Sequence, residues 1–389
     1  MEGLYTASEA ERATLADILS HAFAFPLDDA PKWFERAGHG NVRVFYEDDA
    51  LIGGLIVIPM GQYFGGRAVP TYGVAGVGIA PEQRGSGAGT RMMRALISEL
   101  HARGVALSTL YPATVPLYQR AGYERAGARY AVSVRPQELP VRHDPAFRVV
   151  NLATVGDAVT GPLYARQART RDGSLDRGDY VWGRVNNPRQ GVVRRVGVAS
   201  AEGVEGYVVL MHRQEEGFDT TVTVVDAVAV TARAAQELLV VLGGYRSLAR
   251  EVRWYGAPQH ALVQRLRDRQ HTITLTDFWM LRVVHVGEAL RVRGYNPTLA
   301  ATLGLTVTDD VVPANEGSWR LDVSHGEATV TREALEGITL DVRALAALYT
   351  GFRSARALAD DGLLTGGDEA IATADALFAG TAPSMGDMF

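Results

Sequence analysis

Glycines and one arginine between residues 84 and 89 have the spacing of an anion-binding loop. The stretch follows an apolar run, residues 74–80, and precedes residues 92–100, in which apolar side chains recur at helical spacing. Glycines let the backbone turn several N–H groups to one side, and a helix N-terminus adds about half a positive charge. Strand, glycine loop and helix in this order therefore predict a phosphate site. The loop residues are Arg84, Gly85, Ser86, Gly87, Ala88 and Gly89.

Two widespread phosphate motifs do not fit this loop. The P-loop requires a lysine directly after its last glycine, where this chain has Thr90. The dinucleotide fingerprint requires Gly-x-Gly-x-x-Gly, and the glycines of this loop are spaced differently. The pattern that fits is Arg/Gln-x-x-Gly-x-Gly/Ala, filled by Arg84, Gly87 and Gly89. An ordinary strand–turn–helix with flexible glycines is the alternative that the loop alone leaves open.

A second motif lies at residues 117–123, where Leu117 and Tyr118 precede Gly122 and Tyr123. A tyrosine hydroxyl has a pKa of about 10, so at neutral pH it is a protonated donor that suits the role of general acid. Tyr118 is the candidate for that role. The alternative is that both tyrosines are core aromatics, and this is the interpretation that we favour for Tyr123.

The loop and the Tyr118 motif together resemble the pyrophosphate loop and the closing signature of the GNAT superfamily of N-acetyltransferases, which bind acetyl-CoA. The resemblance implies that Tyr118 protonates the departing CoA thiolate. It also implies that the backbone N–H of Val77 holds the negative charge that builds on the thioester oxygen when an amine attacks. The acetyl-CoA contacts carried over in this way are Val77, Gly78, Ile79, Arg84, Gly85, Ser86, Gly87, Ala88, Gly89, Thr90, Ala113 and Thr114.

Length and composition limit the classes of function. A chain of 389 residues is too long for a single core and predicts two or three domains. The net charge of −5 and the lack of a Lys/Arg-rich block argue against a nucleic acid partner. The chain has no cysteine for disulfides, thiolate metal sites or a thiol nucleophile, and we predict no metal. No apolar run reaches roughly 18 residues and no leader is visible, so we expect a cytoplasmic protein without a membrane span.

The elements that position these motifs begin with a strand and a helix in residues 4–20. Ser8 and Glu11 have the spacing of a capping box at the start of that helix. An aromatic cluster that includes Phe25 and Trp33 comes next. It suits a pocket for a cationic substrate, because aromatic faces attract ammonium groups. Packing in the core is the equal alternative for this cluster.

Further strands lead to the loop. Residues 42–47 and 51–60 predict a hairpin with an acidic turn, and the glycines of residues 61–66 predict a further turn before the strand at residues 72–80. Strands and helices alternate in this way, so we expect a mixed α/β fold.

Three domains are predicted. Residues 1–140 contain both motifs and form the catalytic GNAT domain. Residues 146–285 repeat the strand–helix order weakly and without a glycine loop, which indicates a degenerate acetyltransferase-like fold, with Gly217 in one of its turns. Residues 286–389 change character, and the segment 338–351 resembles the helix-covered sheet of a sterol-carrier-like domain.

This domain order resembles the Eis family of bacterial aminoglycoside acetyltransferases. The resemblance implies that the tail reaches the active site, where the main-chain carboxylate of Phe389 acts as general base, and that the protein forms homo-oligomers, hexamers or trimers. A free carboxylate has a pKa of about 3.5, which burial can raise. Asp28 is the alternative base. Relatives often carry a bulky aromatic at Gly76 and an acid at Met388, so we expect a wider and less acidic substrate pocket.

The function that follows from this resemblance is acetyl transfer from acetyl-CoA to primary amines of a small cationic substrate, such as an aminoglycoside or a polyamine, at one or several positions. Two alternatives remain open at this point. One is a lysine or N-terminal acetyltransferase that acts on peptides or proteins. The other is a non-catalytic protein that binds a lipid or acetyl-CoA.

Overall fold

A computed structural model describes residues 3–153, 157–188, 193–214, 220–267 and 271–389. The predicted turn at Gly217 lies outside these residues. The chain forms two compact units. Unit 1 consists of Met1–Gly127, Phe278–Pro383 and Phe389, and unit 2 of Ala128–Asp277 and Ser384–Met388.

Helices and strands alternate along the whole chain, which confirms the mixed α/β class. The helices are α1 (Glu9–Phe23), α2 (Asp29–Ala37), α3 (Ala88–Ala102), α4 (Val115–Gln119), α5 (Asp157–Ala168), α6 (Asp179–Asn186), α7 (Ala232–Gly243), α8 (Val286–Val292), α9 (Val342–Tyr349), α10 (Ala355–Asp360) and α11 (Asp368–Phe378). The strands are β1 (Gly3–Thr6), β2 (Val42–Glu47), β3 (Ala50–Phe64), β4 (Arg67–Ile79), β5 (Leu107–Leu110), β6 (Glu124–Val134), β7 (Arg148–Asn151), β8 (Leu175–Asp176), β9 (Val193–Ser200), β10 (Gly203–Gln214), β11 (Thr220–Ala229), β12 (Glu251–Tyr255), β13 (His271–Val283), β14 (Ala301–Thr308), β15 (Gly317–Ser324), β16 (Glu327–Arg332), β17 (Gly337–Asp341) and β18 (Leu364–Gly366).

The first sheet of unit 1 has the order β1-β2-β3-β4-β5-β13. The predicted capping box starts α1: the Ser8 N–H donates to Glu11 Oε2 at 2.7 Å, and the Glu11 N–H donates to Ser8 Oγ at 3.4 Å. The β2–β3 hairpin turns through Asp48 and Asp49, which both have left-handed φ angles. Helix α3 packs its apolar face onto this sheet through fully buried residues, Met92, Met93, Leu96, Ile97 and Leu100.

The turn predicted at residues 61–66 is wrong in its first part. Strand β3 continues to Phe64, and only Gly65 and Gly66 make the turn, with φ angles of 57° and 85°. Residues 61–64 pair with β4, because Tyr63 and Phe64 supply buried aromatic side chains to the sheet.

A second sheet of unit 1 has the order β16-β15-β14-β17-β18. Asp341 starts α9 by accepting a hydrogen bond from the Ala344 N–H at 2.8 Å. Arg282 at the end of β13 forms a fully buried ion pair with Asp309, which follows β14. This pair joins the two sheets of unit 1.

Unit 2 contains the sheet β6-β12-β11-β10-β9-β7. Its core lies between this sheet and α7, whose residues Ala234, Leu238 and Leu242 are fully buried. Among the described residues of the chain, no helix is long and apolar enough to cross a membrane.

Candidate active site

Strands β4 and β5 part in the middle of the first sheet. They pair in parallel over four residue pairs, the last of which is Val74 with Leu110. Strand β5 stops there, while β4 continues to Ile79 and is paired in the described residues with β3 alone. Among the described residues, no strand pairs with the other edge of residues 75–79, and this edge is the candidate cleft.

A bulge interrupts β4 at this cleft. The register against β3 shifts between Gly54 and Ile56, so that Gly76 and Val77 together face Leu55. Gly76 has a φ of 59°, a left-handed conformation that favours glycine. Bulged residues leave the regular ladder. Val77, whose N–H we expect to hold the thioester oxygen, is one of them.

The glycine loop follows β4 directly. Gly85 and Gly87 have φ angles of 81° and 86°, and both are exposed. A β-carbon at Gly85 would meet nothing within 4 Å, and Gly87 is the N-cap of α3 without a side-chain cap among the described residues. The positive end of this 15-residue helix suits a phosphate.

Side chains at the loop hold it in shape. Ser86 Oγ donates to the Gln83 carbonyl at 2.8 Å and accepts from the Ala88 N–H at 3.3 Å. Arg84 Nε donates to the Ile79 carbonyl at 3.2 Å. Arg91, which we did not predict, donates from Nη1 to the Ser86 carbonyl at 2.9 Å. An arginine in the first turn after a glycine loop is the signal that would have identified it.

Three of the predicted cofactor residues are packed against the protein itself. Ala88 is fully buried, and a β-carbon at Gly89 would lie 2.9 Å from Leu117 Cδ1. A β-carbon at Gly78 would lie 2.5 Å from Leu19 Cδ2. These residues therefore reach a ligand only through their backbone. The half-buried Thr90 lies at the start of α3, and its Oγ1 is 3.5 Å from Arg120 Nε.

Tyr118 lies on α4, next to the cleft residues. Its ring packs edge-on against Tyr123, with 6.1 Å between centroids, and only 5% of the residue is exposed. Burial raises the pKa of Tyr118 to about 12, so its hydroxyl is protonated throughout the physiological range. No hydrogen-bond partner for this hydroxyl exists among the described residues. Ala113 and Thr114 are exposed just before α4, and Thr114 is its N-cap.

Tyr123 is a core residue. It is fully buried, and its hydroxyl lies 2.7 Å from Ser108 Oγ, which donates to the Tyr72 carbonyl at 3.0 Å. Burial raises the pKa of Tyr123 further than that of Tyr118. With its hydroxyl engaged in the sheet, Tyr123 has no free donor for chemistry.

The aromatic cluster borders the β4 bulge. Phe23 and Phe25 pack edge-on against Trp33, with centroid distances of 6.4 and 5.8 Å. Phe25 and Trp33 are half-buried, whereas Phe34 is 2% exposed and belongs to the core. Phe34 is thus a core residue, and the role of Phe25 and Trp33 in a substrate pocket stays a prediction.

We expected a wider substrate pocket because residue 76 has no side chain, but the structure does not have this additional space. A β-carbon at Gly76 would lie only 2.9 Å from Cη2 of Trp33, so the indole ring already fills the space beside the bulge. An aromatic ring is present there, but it comes from α2 rather than from β4. Asp28, the alternative base, is exposed at the start of α2.

Phe389 belongs to unit 1 and lies where β4 and β5 part. Its ring approaches the position of a β-carbon at Gly73 to 2.8 Å, and its centroid is 5.7 Å from that of Tyr111. Gly73 immediately precedes the last pair of the β4–β5 ladder, and Tyr111 immediately follows it. The structure therefore places Phe389 on the same strand pair as the cleft. Met388 is 39% exposed.

Sequence reasoning missed an acid in the tail. Within unit 2, Asp387 forms an ion pair with Arg177, with Oδ1 2.9 Å from Nη2. Both side chains are buried, at 8% and 4% exposure. Nothing in the local sequence marks Asp387, because its partner is 210 residues away.

Comparison with protein families gives three matches along the chain. Residues 4–126 match an acetyltransferase (GNAT) domain, residues 173–283 match a second acetyltransferase (GNAT) domain, and residues 286–386 match a sterol carrier protein domain. The predicted order of the three folds is confirmed. The exact boundaries at residues 140, 146 and 285 stay predictions.

Whole-chain relatives agree with these matches. An uncharacterized N-acetyltransferase from Streptomyces griseus is 31% identical over 365 residues, which cover 84% of this chain and 83% of the relative. The structure of a GCN5-related N-acetyltransferase from Anabaena variabilis matches all of both chains, with 31% identity and a TM-score of 0.95. Eis1 from Mycobacterium abscessus shares the fold over 99% of this chain and 100% of its own, with a TM-score of 0.79 and 24% identity.

Proposed function

Because this chain belongs to the GNAT family of N-acetyltransferases, we propose that it transfers the acetyl group of acetyl-CoA to primary amines of a small cationic molecule, such as an aminoglycoside or a polyamine. The observation that carries the choice of substrate is the half-buried aromatic cluster at the bulge of β4. Aromatic faces next to the reacting strand attract an ammonium group and hold it close to the cleft.

The cleft and the loop fit the two ends of acetyl-CoA. The exposed loop residues 85–87 and the positive N-terminus of α3 suit the pyrophosphate. The open edge of β4 offers its backbone to the acyl end, and the Val77 N–H is the proposed donor to the thioester oxygen. Fixing both substrates in line along one strand supplies much of the rate enhancement.

Tyr118 is the proposed donor to the CoA sulfur. A thiol has a pKa of about 8.5, which is well below the value of about 12 for Tyr118. A completed proton transfer from tyrosine to thiolate is therefore uphill at this site. What the hydroxyl supplies is a hydrogen bond that strengthens as negative charge builds on sulfur. CoA leaves as the thiolate and takes up a proton from the solvent, so Tyr118 keeps its own proton.

The main-chain carboxylate of Phe389 is the proposed base. It accepts the proton that the amine loses on attack, directly or through one water. The position of the Phe389 ring beside Gly73 and Tyr111 supports this assignment, because both residues adjoin the point where the cleft opens. The ring fixes the last residue to the strand pair, and its main-chain carboxylate stays with it.

A panel of amines tests the proposed function. Incubation with acetyl-CoA, aminoglycosides, polyamines and lysine peptides is followed by thiol release and by product mass. We expect products of small polycationic amines, with one acetyl mass step for each modified position. Release of thiol with peptides alone would refute the proposed substrate class, and acetyl-CoA binding without thiol release would refute catalysis.

The aromatic cluster has its own test. Trp33→Leu should raise the KM for the cationic acceptor about tenfold, the equivalent of a desolvated cation–π contact, and leave the KM for acetyl-CoA unchanged. Tyr5→Leu is the matched control, since Tyr5 is an exposed aromatic residue of the same unit that packs edge-on against Tyr46. Equal KM values for the acceptor in both variants would mean that Trp33 does not bind the acceptor and has a structural role only.

A further inference from the structure

The second acetyltransferase fold keeps the parted strands of the first. In unit 2, β11 and β12 pair in parallel over four residue pairs, the last of which is Val224 with Trp254. The register of β11 against β10 shifts just beyond this point, between Val209 and Leu210 on β10, and leaves Val225 without a counterpart. In unit 2 the bulge in β11 therefore comes directly after the end of the parallel β11–β12 ladder, in the same way that the bulge in β4 comes after the end of the β4–β5 ladder. Unit 2 has the cleft of an acetyltransferase.

This second cleft lacks the phosphate site of the first. No glycine loop separates β11 from α7, and the hydroxyl of Thr231 caps that helix by accepting from the Ala234 N–H at 3.2 Å. One of the free N–H groups at this helix N-terminus is therefore already occupied. Because this cleft keeps its shape without a cofactor site, we expect another group to fill it.

Residues 384–388 of the chain lie along this cleft. The Met385 N–H donates to the Ala128 carbonyl at 3.2 Å, and Arg129 Nε donates to the Gly386 carbonyl at 3.2 Å. A β-carbon at Gly386 would lie 3.2 Å from the carbonyl oxygen of Tyr255, the residue directly after the ladder end. The tail thus pairs by its backbone with β6, the strand next to β12, and Gly386 approaches the end of β12 itself.

Asp387 joins the tail to the other parted strand through Arg177. Nε and Nη2 of Arg177 donate to the two oxygens of Asp387 at 3.1 and 2.9 Å. The same guanidinium donates to both oxygens of Asp226 at 2.7 and 3.0 Å, and Asp226 lies two residues beyond Val224 on β11. The Tyr164 hydroxyl lies 3.2 Å from Asp387 Oδ2 and 2.8 Å from the Leu175 carbonyl, and its single proton serves one of these two acceptors at a time. Bidentate pairs of this kind fix orientation as well as distance.

The three charged side chains of this cluster are buried, with 4%, 6% and 8% exposure for Arg177, Asp226 and Asp387. Burial of the Asp387 carboxylate costs desolvation, which the hydrogen bonds from Arg177 offset. Loss of the Asp387 charge should therefore loosen the tail and leave Arg177 paired with Asp226.

We propose that the cleft of the second acetyltransferase fold holds the tail of the chain, and that Asp387 is a positioning residue for the carboxylate of Phe389. Only Met388 separates the two residues in the chain, so a fixed Asp387 limits the positions that the Phe389 carboxylate can take. The inference rests on the proposed role of that carboxylate as base. In this proposal, the degenerate fold holds the tail, and it neither binds a cofactor nor catalyses a reaction.

Asp387→Asn tests the proposal, because it removes the charge, keeps the size and leaves Arg177 paired with Asp226. Carboxypeptidase Y digestion of the full-length protein, followed by intact mass, measures access to the tail. We expect release of the last two residues to accelerate roughly tenfold or more. We also expect kcat to fall about tenfold, with the KM for acetyl-CoA and the melting temperature unchanged.

Glu237→Gln is the matched control. Glu237 is a buried carboxylate of the same unit, 2% exposed on its side chain, that accepts from the Asp144 N–H at 2.7 Å and does not contact residues 384–389 in any hydrogen bond or ion pair of the structure. It should lower the melting temperature without exposing the tail. Unchanged release of the tail in Asp387→Asn would overturn the proposal, as would faster release with full turnover. If the wild-type protein acetylates no amine, the proposed function fails, and the digestion still decides whether Asp387 holds the tail.

Discussion

The hydroxyl of Tyr118 is the group whose removal separates chemistry from binding. Tyr118→Phe keeps the ring and its packing against Tyr123, so acetyl-CoA affinity should stay the same. Turnover should fall by about 10² if the hydroxyl donates to the departing sulfur. Steady-state kinetics together with calorimetry of acetyl-CoA binding measure both quantities. Normal turnover would return Tyr118 to a packing role.

The raised pKa of Tyr118 predicts the shape of the pH profile. The protonated hydroxyl is the active form, and burial moves its pKa to about 12. Loss of this proton should therefore not reduce kcat up to about pH 10, where an ordinary tyrosine would be half ionised. A basic limb below pH 10 that disappears in Tyr118→Phe would contradict the assignment.

A substitution at Gly87 distinguishes the loss of the phosphate site from the effect of backbone strain. Gly87→Val places a branched side chain at the exposed N-terminus of α3, and acetyl-CoA affinity should fall at least about tenfold. Gly104→Val is the matched control: Gly104 has a φ of 70°, close to the 86° of Gly87, and also lies at one end of α3. Calorimetry should show weaker binding in the first variant alone. Equal losses would mean that strain, and not the phosphate seat, is measured.

At the scale of elements, the strands and helices that depend on local signals were predictable. The capping box of α1 and the strand–loop–helix of β4 and α3 arise within a few residues of each other, so their spacing is visible in the sequence. The turn at residues 61–66 failed because pairing with β4 overrides the glycine at residue 61.

Contacts between elements that are distant in the chain could not be predicted from the sequence in the same way. Trp33 of α2 fills the space beside Gly76 of β4. Arg177 binds Asp387, which lies 210 residues further along the chain. Neither pair has a local pattern, because a packing contact or a buried ion pair sets no spacing along the chain. The sequence therefore carries a prediction of the cofactor-site residues, and none of the side chains that surround them.

His260 makes the stability of unit 2 depend on pH. Its Nδ1 accepts from the Leu262 N–H and its Nε2 donates to the Ala227 carbonyl, each at 3.3 Å, which requires the neutral ring. Burial lowers the pKa of His260 to about 3. Below the unfolded value of about 6.5, the unfolded chain takes up a proton that the folded chain refuses, so stability is lost as the pH falls.

The expected loss is about 2 kcal/mol between pH 6.5 and pH 5, at about 1.4 kcal/mol per pH unit. Urea unfolding at pH 7 and pH 5 measures it, and His260→Gln should flatten the dependence. His39→Gln, which changes an exposed histidine, is the control. An unchanged slope in His260→Gln would show that other groups cause the acid sensitivity.

At the scale of the whole molecule, the shared domain order leads to a prediction of assembly. The resemblance of the sequence to the Eis family leads us to predict a homo-oligomer, a hexamer or a trimer. Light scattering at micromolar concentration should give six or three times the chain mass of 41.9 kDa. A single chain mass under these conditions would refute the prediction.

The most direct test of the catalytic account is the turnover of chains with an altered C-terminus. Adding residues after Phe389 converts its carboxylate to an amide, and deleting Phe389 moves the terminal carboxylate about 3.5 Å away. Proton transfer needs contact at about 3 Å, so both chains should release CoA from acetyl-CoA and amine at least about a hundredfold more slowly, with acetyl-CoA affinity and melting temperature unchanged. Phe389→Ala, which keeps the carboxylate and loses the ring beside Gly73, should be impaired less than either. Full turnover in both the extended and the shortened chain would contradict the role of this carboxylate as the base.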